Sequence, residues 1–217
     1  MQFPPVRKDV ATLAVRPNLL DYPATCAGFS WEAVRAELTG LPDGGLNIAH
    51  EAVDRHAGGL LAGRVAVRLL GRDDTVHDLT YAALKEQSSR FANLLQSLGV
   101  APGERVFWLA GRSLELYAVF FGTLKLRAVF CPLFAAFGPE PISQRLARGN
   151  ARVLVTTTRQ YERKIKALID TLTELDYILL VDAQAHVNER VRSLPHLMAE
   201  AAPEFAIPPT DPEDPAI

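Results

Sequence analysis

The sequence contains very little cysteine: Cys26 and Cys131 are the two cysteines among 217 residues. They lie far apart in the chain, which excludes both a disulfide framework and a cysteine-rich zinc module. A reducing compartment therefore fits the sequence best, and we expect a cytoplasmic protein.

Long hydrophobic runs are also lacking. The longest uncharged apolar stretches, residues 116–124 and 128–139, are separated by Lys125 and Arg127 and fall short of the roughly 20 residues that span a bilayer. The first residues mix charged side chains with prolines and show no apolar segment typical of a secretory signal. We expect a soluble intracellular protein without a membrane partner.

Charge of one sign does not dominate the chain. Lys and Arg number 23, Asp and Glu number 25, and the formal net charge of −2 argues against a nucleic-acid partner. One stretch is locally basic and holds a single acidic residue, Glu162, among Arg145, Arg148, Arg152, Arg159, Arg163, Lys164 and Lys166. Such a cluster suits a phosphorylated ligand. The solvated faces of two amphipathic helices also explain it, and charge alone favours that second interpretation.

Common catalytic and phosphate-binding motifs are absent. The sequence has no G-x-x-x-x-G-K-[ST] loop, no G-x-G-x-x-G turn after a strand, no G-x-S-x-G elbow and no H-E-x-x-H pair. His50 and His56 are six residues apart, a spacing that does not place two ligands on one helical face, so we expect no metal site. Cys131 lies in an apolar run and is interpreted as a core residue.

An alternation of strands and helices occupies the middle of the chain. Residues 65–70 and 75–79 predict a β-hairpin around a polar turn. Further apolar strands are expected at residues 106–109, 128–132, 153–156 and 177–181, of which the last ends the series. Helical stripes separate these strands, so the predicted fold class is α/β, with a mainly parallel sheet flanked by helices.

Polar N-caps mark the starts of most predicted helices, and they are Ser30, Asn47, Thr80 and Ser113. The helix after Asn47 is expected to reach about His56. Two more helices are expected over residues 139–148 and along the stripe Tyr161, Ile165, Leu168 and Leu172. The chain then divides into an irregular N-terminal segment with one short helix (1–46), an α/β subdomain (47–202) and a proline-rich acidic linker (203–217).

An ordered series of short segments gives the most specific signal. The segments are residues 79–84 (LTYAAL), 91–95 (FANLL), 98–106 (LGVAPGERV), 122–125 (GTLK), 128–133 (AVFCPL), 134–140 (FAAFGPE), 145–146 and 153–156. Together they resemble the large N-terminal domain of the AMP-forming, adenylate-forming acyl-CoA synthetases. Residues 46–56 and 134–140 narrow the resemblance to acetyl-CoA synthetase-like members.

The resemblance implies an acid–thiol ligase for the parent protein. Such enzymes use ATP, with Mg²⁺, to convert a small-molecule carboxylate into an acyl-adenylate and pyrophosphate, and coenzyme A then displaces AMP. In the family, a segment like residues 211–217 leads into a Ser/Thr/Gly-rich phosphate loop. We therefore expect the catalytic residues to lie beyond residue 217 and residues 1–217 alone to be inactive. The alternative is a non-catalytic interaction or coenzyme-binding module derived from such an enzyme.

Coenzyme A is the ligand for which the resemblance implies residues in this chain. It implies that Phe134, Ala135 and Ala136 lie against the coenzyme's adenine. It also implies that Arg163, or Arg159 as the alternative, contacts the 3′-phosphate, for which a guanidinium fork is well suited.

Two departures from the family pattern accompany this site. Ala135 and Ala136 stand where glycine is common, so their methyl groups are expected to crowd a flat base. Arg127-Ala128 stands where Gly-Ala is usual, and we expect the turn there to avoid the left-handed conformation that glycine permits.

Overall fold

A computed structural model describes residue 9 and residues 12–217. The start of the predicted irregular segment, residues 1–8, 10 and 11, lies outside the described residues. The chain divides into two compact units, Met1–Leu38 and Thr39–Ile217. The described part of the first unit contains two short helices, α1 (Tyr22–Ala27) and α2 (Trp31–Ala36), neither of which has a buried residue. The Ser30 hydroxyl accepts a hydrogen bond from the Ala33 N–H, which confirms Ser30 as the N-cap of α2.

The second unit begins with a short helix and a hairpin. Helix α3 (Ile48–Ala52) starts at the predicted cap, where the side-chain Oδ1 of Asn47 accepts hydrogen bonds from the Ala49 and His50 N–H groups. Two single 3₁₀ turns follow at Asp54–His56 and Gly59–Leu61. Strands β1 (Val65–Leu70) and β2 (Val76–Thr80) then pair antiparallel, which confirms the predicted hairpin.

The predicted helix to His56 is too long. The backbone leaves the helical conformation at Val53, whose φ and ψ are −129° and −59°. Val53 is buried, and the break turns Asp54 toward the Lys125 ammonium, 2.8 Å away. The end of α3 is therefore set by the buried ion pair between Asp54 and Lys125, which is distant in the sequence.

The remaining elements form a doubly wound α/β structure. In chain order they are α4 (Tyr81–Ser97), β3 (Arg105–Leu109), α5 (Leu114–Lys125), β4 (Val129–Pro132), α6 (Pro139–Arg148), β5 (Ala151–Thr156), α7 (Thr158–Gln160), β6 (Tyr177–Leu180), β7 (Val191–Ser193) and α8 (Leu194–Glu200). Strands β3 to β7 pair in parallel in the order β4-β3-β5-β6-β7. The α/β fold class and the mainly parallel sheet are confirmed.

Alternate residues of the central strand β3 belong to two different cores. Val106 and Trp108 pack in one cluster that includes residues of α4, α5 and α8, whereas Phe107 and Leu109 pack in another with residues of α6 and the helical segment after β5. A strand that is buried on both faces carries the continuous apolar run that predicted it.

Two sequence predictions after β5 are corrected. The stripe from Tyr161 to Leu172 is helical but not one regular helix, because α7 continues into a wide π turn (Tyr161–Ile165) and a 3₁₀ helix (Lys166–Thr171). The strand at residues 177–181 is not the last, because β7 pairs with β6. The Arg190 guanidinium donates to three carbonyls of the 3₁₀ helix and the loop after it, and it holds the chain just before β7.

The turn at Arg127 also differs from its prediction. Arg127 adopts a left-handed conformation with φ of +62°, so the expectation that this turn avoids it is wrong. The Ala128 N–H donates to the Thr123 carbonyl (3.1 Å) and the Arg127 N–H to the Leu124 carbonyl (3.1 Å), which is the Schellman ending of α5. The Arg127 guanidinium meets Asp214 at 2.7 Å and ties this turn to residues 203–217, which contain no helix.

Candidate functional site

The carboxyl edge of the parallel sheet is where a ligand is expected. Strand β3 lies between β4 and β5, so the chain leaves β3 toward one side, forms β4 and then crosses back to form β5. In open α/β sheets, ligands bind outside the carboxyl ends of strands near such a reversal of strand order. The loops that follow β3, β4, β5 and β6 all meet at this edge.

A cleft of about 710 Å³ opens there. Residues from the segments that follow three strands line it, namely Ala135 and Ala136 after β4, Thr157, Arg159, Gln160, Arg163 and Lys164 after β5, and Asp182 after β6. The cleft therefore exists because parallel strands bring the ends of β4, β5 and β6 to one edge.

Two side chains fix the loop after β4. The Lys164 ammonium donates to the Ala135 carbonyl at 2.7 Å, and the Gln160 amide donates to the same oxygen at 3.1 Å. Both donors are partly buried. The Ala135 backbone is thus held against the helical segment that carries Arg163.

The cleft has an excess of positive charge. Arg159 and Arg163 are exposed, and neither guanidinium group has a hydrogen-bond or ion-pair partner within residues 12–217. The acidic residue that lines the cleft, Asp182, accepts two hydrogen bonds of 2.7 Å from the Thr158 N–H and hydroxyl. Two uncommitted guanidinium groups therefore face a ligand that enters the cleft, and guanidinium forks bind phosphate oxygens in pairs.

Arg163 lies within the π turn. One π turn inside a helix adds a residue to the turn and redirects the side chains that follow, and such turns are frequent at functional sites. Here the turn leaves Tyr161 and Ile165 in the core while Arg163 and Lys164 line the cleft.

Phe134 lies beside the cleft and is not one of its lining residues. The residue is 66% exposed, and its ring stands nearly perpendicular to the Phe137 ring, with the centroids 5.5 Å apart. The Arg145 guanidinium covers Phe137 at 4.3 Å. An exposed aromatic face that is supported from behind can stack on a flat ligand.

The structure brings together most of the residues that the resemblance implied. Ala135, Ala136 and Arg163, together with the alternative Arg159, line one cleft. Gln160, Thr157 and Asp182 were not singled out from the sequence. Asp182 follows β6 after one intervening residue, and a polar residue just past a predicted parallel strand is the signal that indicates it.

Other candidate groups have ordinary structural environments. Burial raises the pKa of the half-buried Cys131 thiol, which keeps it protonated, as expected for a packing residue. Within residue 9 and residues 12–217, no three His, Cys, Asp or Glu side chains come together as metal ligands do. In the same residues, no helix combines the length and the apolar character that crossing a bilayer requires.

Residues 54–217 match the sequence profile of the AMP-binding enzyme family. The acetyl-coenzyme A synthetase of Bacillus subtilis is 34% identical over 177 residues, which are 80% of this chain and 30% of that protein. The acetyl-coenzyme A synthetase of Streptomyces coelicolor is 31% identical over 64% of this chain and 23% of its own length. The chain thus spans less than a third of these relatives.

Solved structures give the same result. The chain superimposes on a Brucella canis acyl-CoA synthetase with a TM-score of 0.77 and 28% identity, covering 89% of this chain and 34% of that one. An anthranilate CoA ligase in complex with anthranoyl-AMP shares the fold, with a TM-score of 0.67 and 22% identity over 78% of this chain and 30% of that one. The chain therefore belongs to the AMP-binding enzyme family.

Proposed function

We propose that these residues are the N-terminal part of an AMP-forming ligase that joins acetate or another short-chain carboxylate to coenzyme A. Such a reaction consumes ATP with Mg²⁺ and releases AMP and pyrophosphate. The family and the acetyl-coenzyme A synthetases among the relatives support this proposal. The direct contribution of the chain is a binding edge for coenzyme A, and the cleft that unites Ala135, Ala136 and Arg163 is the observation that carries it.

The residues of the cleft fit the nucleotide end of coenzyme A. The exposed Phe134 residue offers an aromatic surface for the adenine, and Ala135 and the exposed Ala136 line the cleft next to it. Arg163, with Arg159 as the alternative, offers an uncommitted guanidinium to the 3′-phosphate. The 3′-phosphate is remote from the reacting thiol, so this edge holds and orients the coenzyme and takes no part in bond making.

ATP and Mg²⁺ have no comparable site in these residues. The sequence contains no glycine-rich lysine loop for phosphates, and residues 12–217 bring no set of metal ligands together. Phosphoryl chemistry depends on electrostatic stabilisation by such groups. We therefore expect residues 1–217 alone to release no pyrophosphate from ATP with acetate and coenzyme A. Release above the level of a heat-denatured sample would refute this expectation.

A coenzyme-binding module without catalysis is the second candidate. All eight residues that line the cleft belong to the unit Thr39–Ile217, so the cleft needs no other segment to form. Coenzyme binding by the 217-residue chain, without pyrophosphate release, agrees with both candidates. Activity of a longer chain that contains these residues supports the ligase.

The coenzyme site is tested by calorimetric titration of the 217-residue chain with coenzyme A and with its 3′-dephospho form. Arg163→Ala removes charge-assisted hydrogen bonds and is expected to weaken coenzyme A binding about ten- to a hundredfold, with no change for the dephospho form. Arg159→Ala identifies the alternative contact. Arg148→Ala is the matched control, because Arg148 is exposed on α6 and does not line the cleft. Equal effects of the three variants, or equal affinity for both coenzymes, would contradict the assignment.

A further inference from the structure

A second basic cleft lies between the hairpin and the loop after β3. Its volume is about 730 Å³, and its lining residues are Arg68 to Arg72 from the end of β1 and its turn, Gly111 and Arg112 after β3, and Tyr117 of α5. No residue lines both this cleft and the one around Arg163. We name it the hairpin cleft.

The hairpin cleft contains two arginines without a counter-charge. Arg68 is committed, because its guanidinium forms a two-pronged pair with Asp78 at 2.7 Å for each contact. Arg72 and Arg112 are exposed, and within residues 12–217 neither forms a hydrogen bond or an ion pair. The acidic residues of the adjacent turn, Asp73 and Asp74, do not line the cleft.

The turn that presents Arg72 is well defined. The Gly71 N–H donates to the Thr75 carbonyl at 2.8 Å, and the Thr75 hydroxyl donates to the Asp73 carboxylate at 2.7 Å. A Cβ atom on Gly71 would collide with the Thr75 hydroxyl and would lie 2.6 Å from the Asp73 carboxylate, so a side chain at this position would displace both groups. On the opposite wall, a Cβ atom on Gly111 would meet nothing within 4 Å, which leaves the space beside Arg112 open.

Apolar surface accompanies the charge. Leu70 is 69% exposed on the cleft wall. Tyr117 packs with its ring against the small core of Val53, Leu79 and Leu84, which fixes the ring in the wall of the cleft. The cleft therefore combines two free guanidinium forks with an apolar flank and an aromatic hydroxyl.

We propose that the hairpin cleft binds the phosphoryl group of a small organic molecule, with Arg72 and Arg112 on the phosphate oxygens and the organic body against Leu70 and Tyr117. Guanidinium groups match phosphate geometry with paired hydrogen bonds, and small-molecule sites commonly join a few polar anchors to apolar walls. This site is separate from the proposed coenzyme cleft and goes beyond the proposed ligase function.

The probes are phenyl phosphate and inorganic phosphate, titrated at low ionic strength into the ¹⁵N-labelled chain and followed by amide chemical shifts. We expect the Gly71 and Gly111 amides to shift with both probes, and phenyl phosphate to bind more tightly. Arg112→Gln is expected to lower the affinity for both probes about tenfold, because it removes a charge-assisted pair of hydrogen bonds. Leu70→Ser is expected to lower the affinity for phenyl phosphate and to leave the affinity for inorganic phosphate unchanged.

Two control variants separate this site from a general charge effect and from the coenzyme cleft. Arg148→Gln removes one exposed positive charge elsewhere, and Arg163→Ala alters the other cleft; neither is expected to change the Gly111 shifts. Unmoved Gly71 and Gly111 amides, or equal losses in Arg112→Gln and Arg148→Gln, would overturn the proposal. Equal affinity for phenyl phosphate and inorganic phosphate, in both the parent chain and Leu70→Ser, would refute an organic ligand and would identify free phosphate as the ligand. Arg163→Ala tests the proposed function independently, since it affects coenzyme A binding alone.

Discussion

Removal of the Asp54 carboxylate is expected to destabilise the protein strongly through Lys125. The Lys125 side chain has no exposed surface, and its ammonium lies 2.8 Å from Asp54, 3.0 Å from the Ser89 hydroxyl and 3.2 Å from the Lys85 carbonyl. These contacts join the 3₁₀ turn after α3 to α4 and α5. In Asp54→Ala the ammonium keeps two neutral acceptors but loses its only paired carboxylate among residues 12–217.

The magnitude follows from the burial of the two partners. Removal of one partner of a buried pair costs about 3–5 kcal/mol, and the lower end applies here because Asp54 retains 11% exposure. We expect Asp54→Ala to lower the free energy of unfolding by about 3 kcal/mol. Lys125→Met keeps most of the apolar stem and removes the ammonium, and because the Asp54 side chain retains 11% exposure, a loss of about 1–2 kcal/mol is expected.

Alkaline pH provides a second check on the same pair. Burial lowers the pKa of Lys125 below 10.5, while the Asp54 charge acts in the opposite direction. Without Asp54 the pKa falls further, so the folded variant loses its proton before the unfolded chain does. Between those two pKa values the unfolded state binds more protons, and stability rises with pH. The deficit of Asp54→Ala should therefore shrink as the pH rises toward 10.5.

Urea unfolding followed by circular dichroism measures these free energies, with Asp54→Ala/Lys125→Met completing a double-mutant cycle. The double variant is expected to be more stable than Asp54→Ala, because the unpaired ammonium has gone. An Asp54→Ala loss below about 1 kcal/mol, or additivity of the two single losses, would refute the role of the buried pair.

Two further predictions concern the turn after α5 and the contacts of α3. Arg127→Gly and Arg127→Ala both lose the partly exposed ion pair with Asp214, but glycine also relieves the strain of the left-handed backbone. The glycine variant should therefore be more stable than the alanine variant by about 1 kcal/mol in urea unfolding. Equal stabilities of the two variants would contradict a strained backbone at this position. Burial would raise the pKa of Glu51, but hydrogen bonds from the Gly40 N–H and from Arg55 outweigh it and lower the pKa below 4.5. The charge of Glu51 therefore stabilises the fold fully above pH 4.5, and this stabilisation is lost as the pH falls through the pKa of the folded state. Glu51→Gln should therefore lower the free energy of unfolding at pH 7 but not in acid. A loss of unfolding free energy that stays constant from pH 7 to pH 3 would refute this.

Local sequence patterns predict most of the fold because most elements here satisfy local rules. The hairpin, the helix capped by Thr80 and the strands β3 to β6 follow from periodicity, caps and turn residues. Local patterns do not predict strand β7, because it has three residues and is positioned by pairing with β6 and by Arg190. The carbonyl partners of Arg190 are 15 to 21 residues away in the sequence. Helix α3 ends early for a related reason, since Lys125 is remote in sequence.

The residues of the candidate site also divide into those that local sequence patterns predict and those that depend on distant contacts. The residues after β4 can be read from a motif, because a loop at a strand end is contiguous in sequence. The role of Lys164 cannot be predicted from such a motif. Its hydrogen bond to the Ala135 carbonyl depends on a π turn, and the two residues are 29 positions apart in the sequence. Arg127 shows the limit of local conformational preference, because a tertiary ion pair and a helix ending hold it in a conformation that glycine adopts more readily.

The carboxyl end of β4 leads into an excess of positive charge, and this affects how quickly anionic ligands arrive. At its amino end, by contrast, the Asp214 carboxylate is paired with the Arg127 guanidinium. At its carboxyl end, the loop that begins at Leu133 leads into the cleft with Arg159, Arg163 and Lys164. The excess of positive charge in this cleft attracts anions toward the carboxyl edge of the sheet, although the net charge of the chain is −2. Association of an anionic ligand should slow as salt shortens the reach of this field to about 8 Å at physiological ionic strength, while its dissociation changes much less.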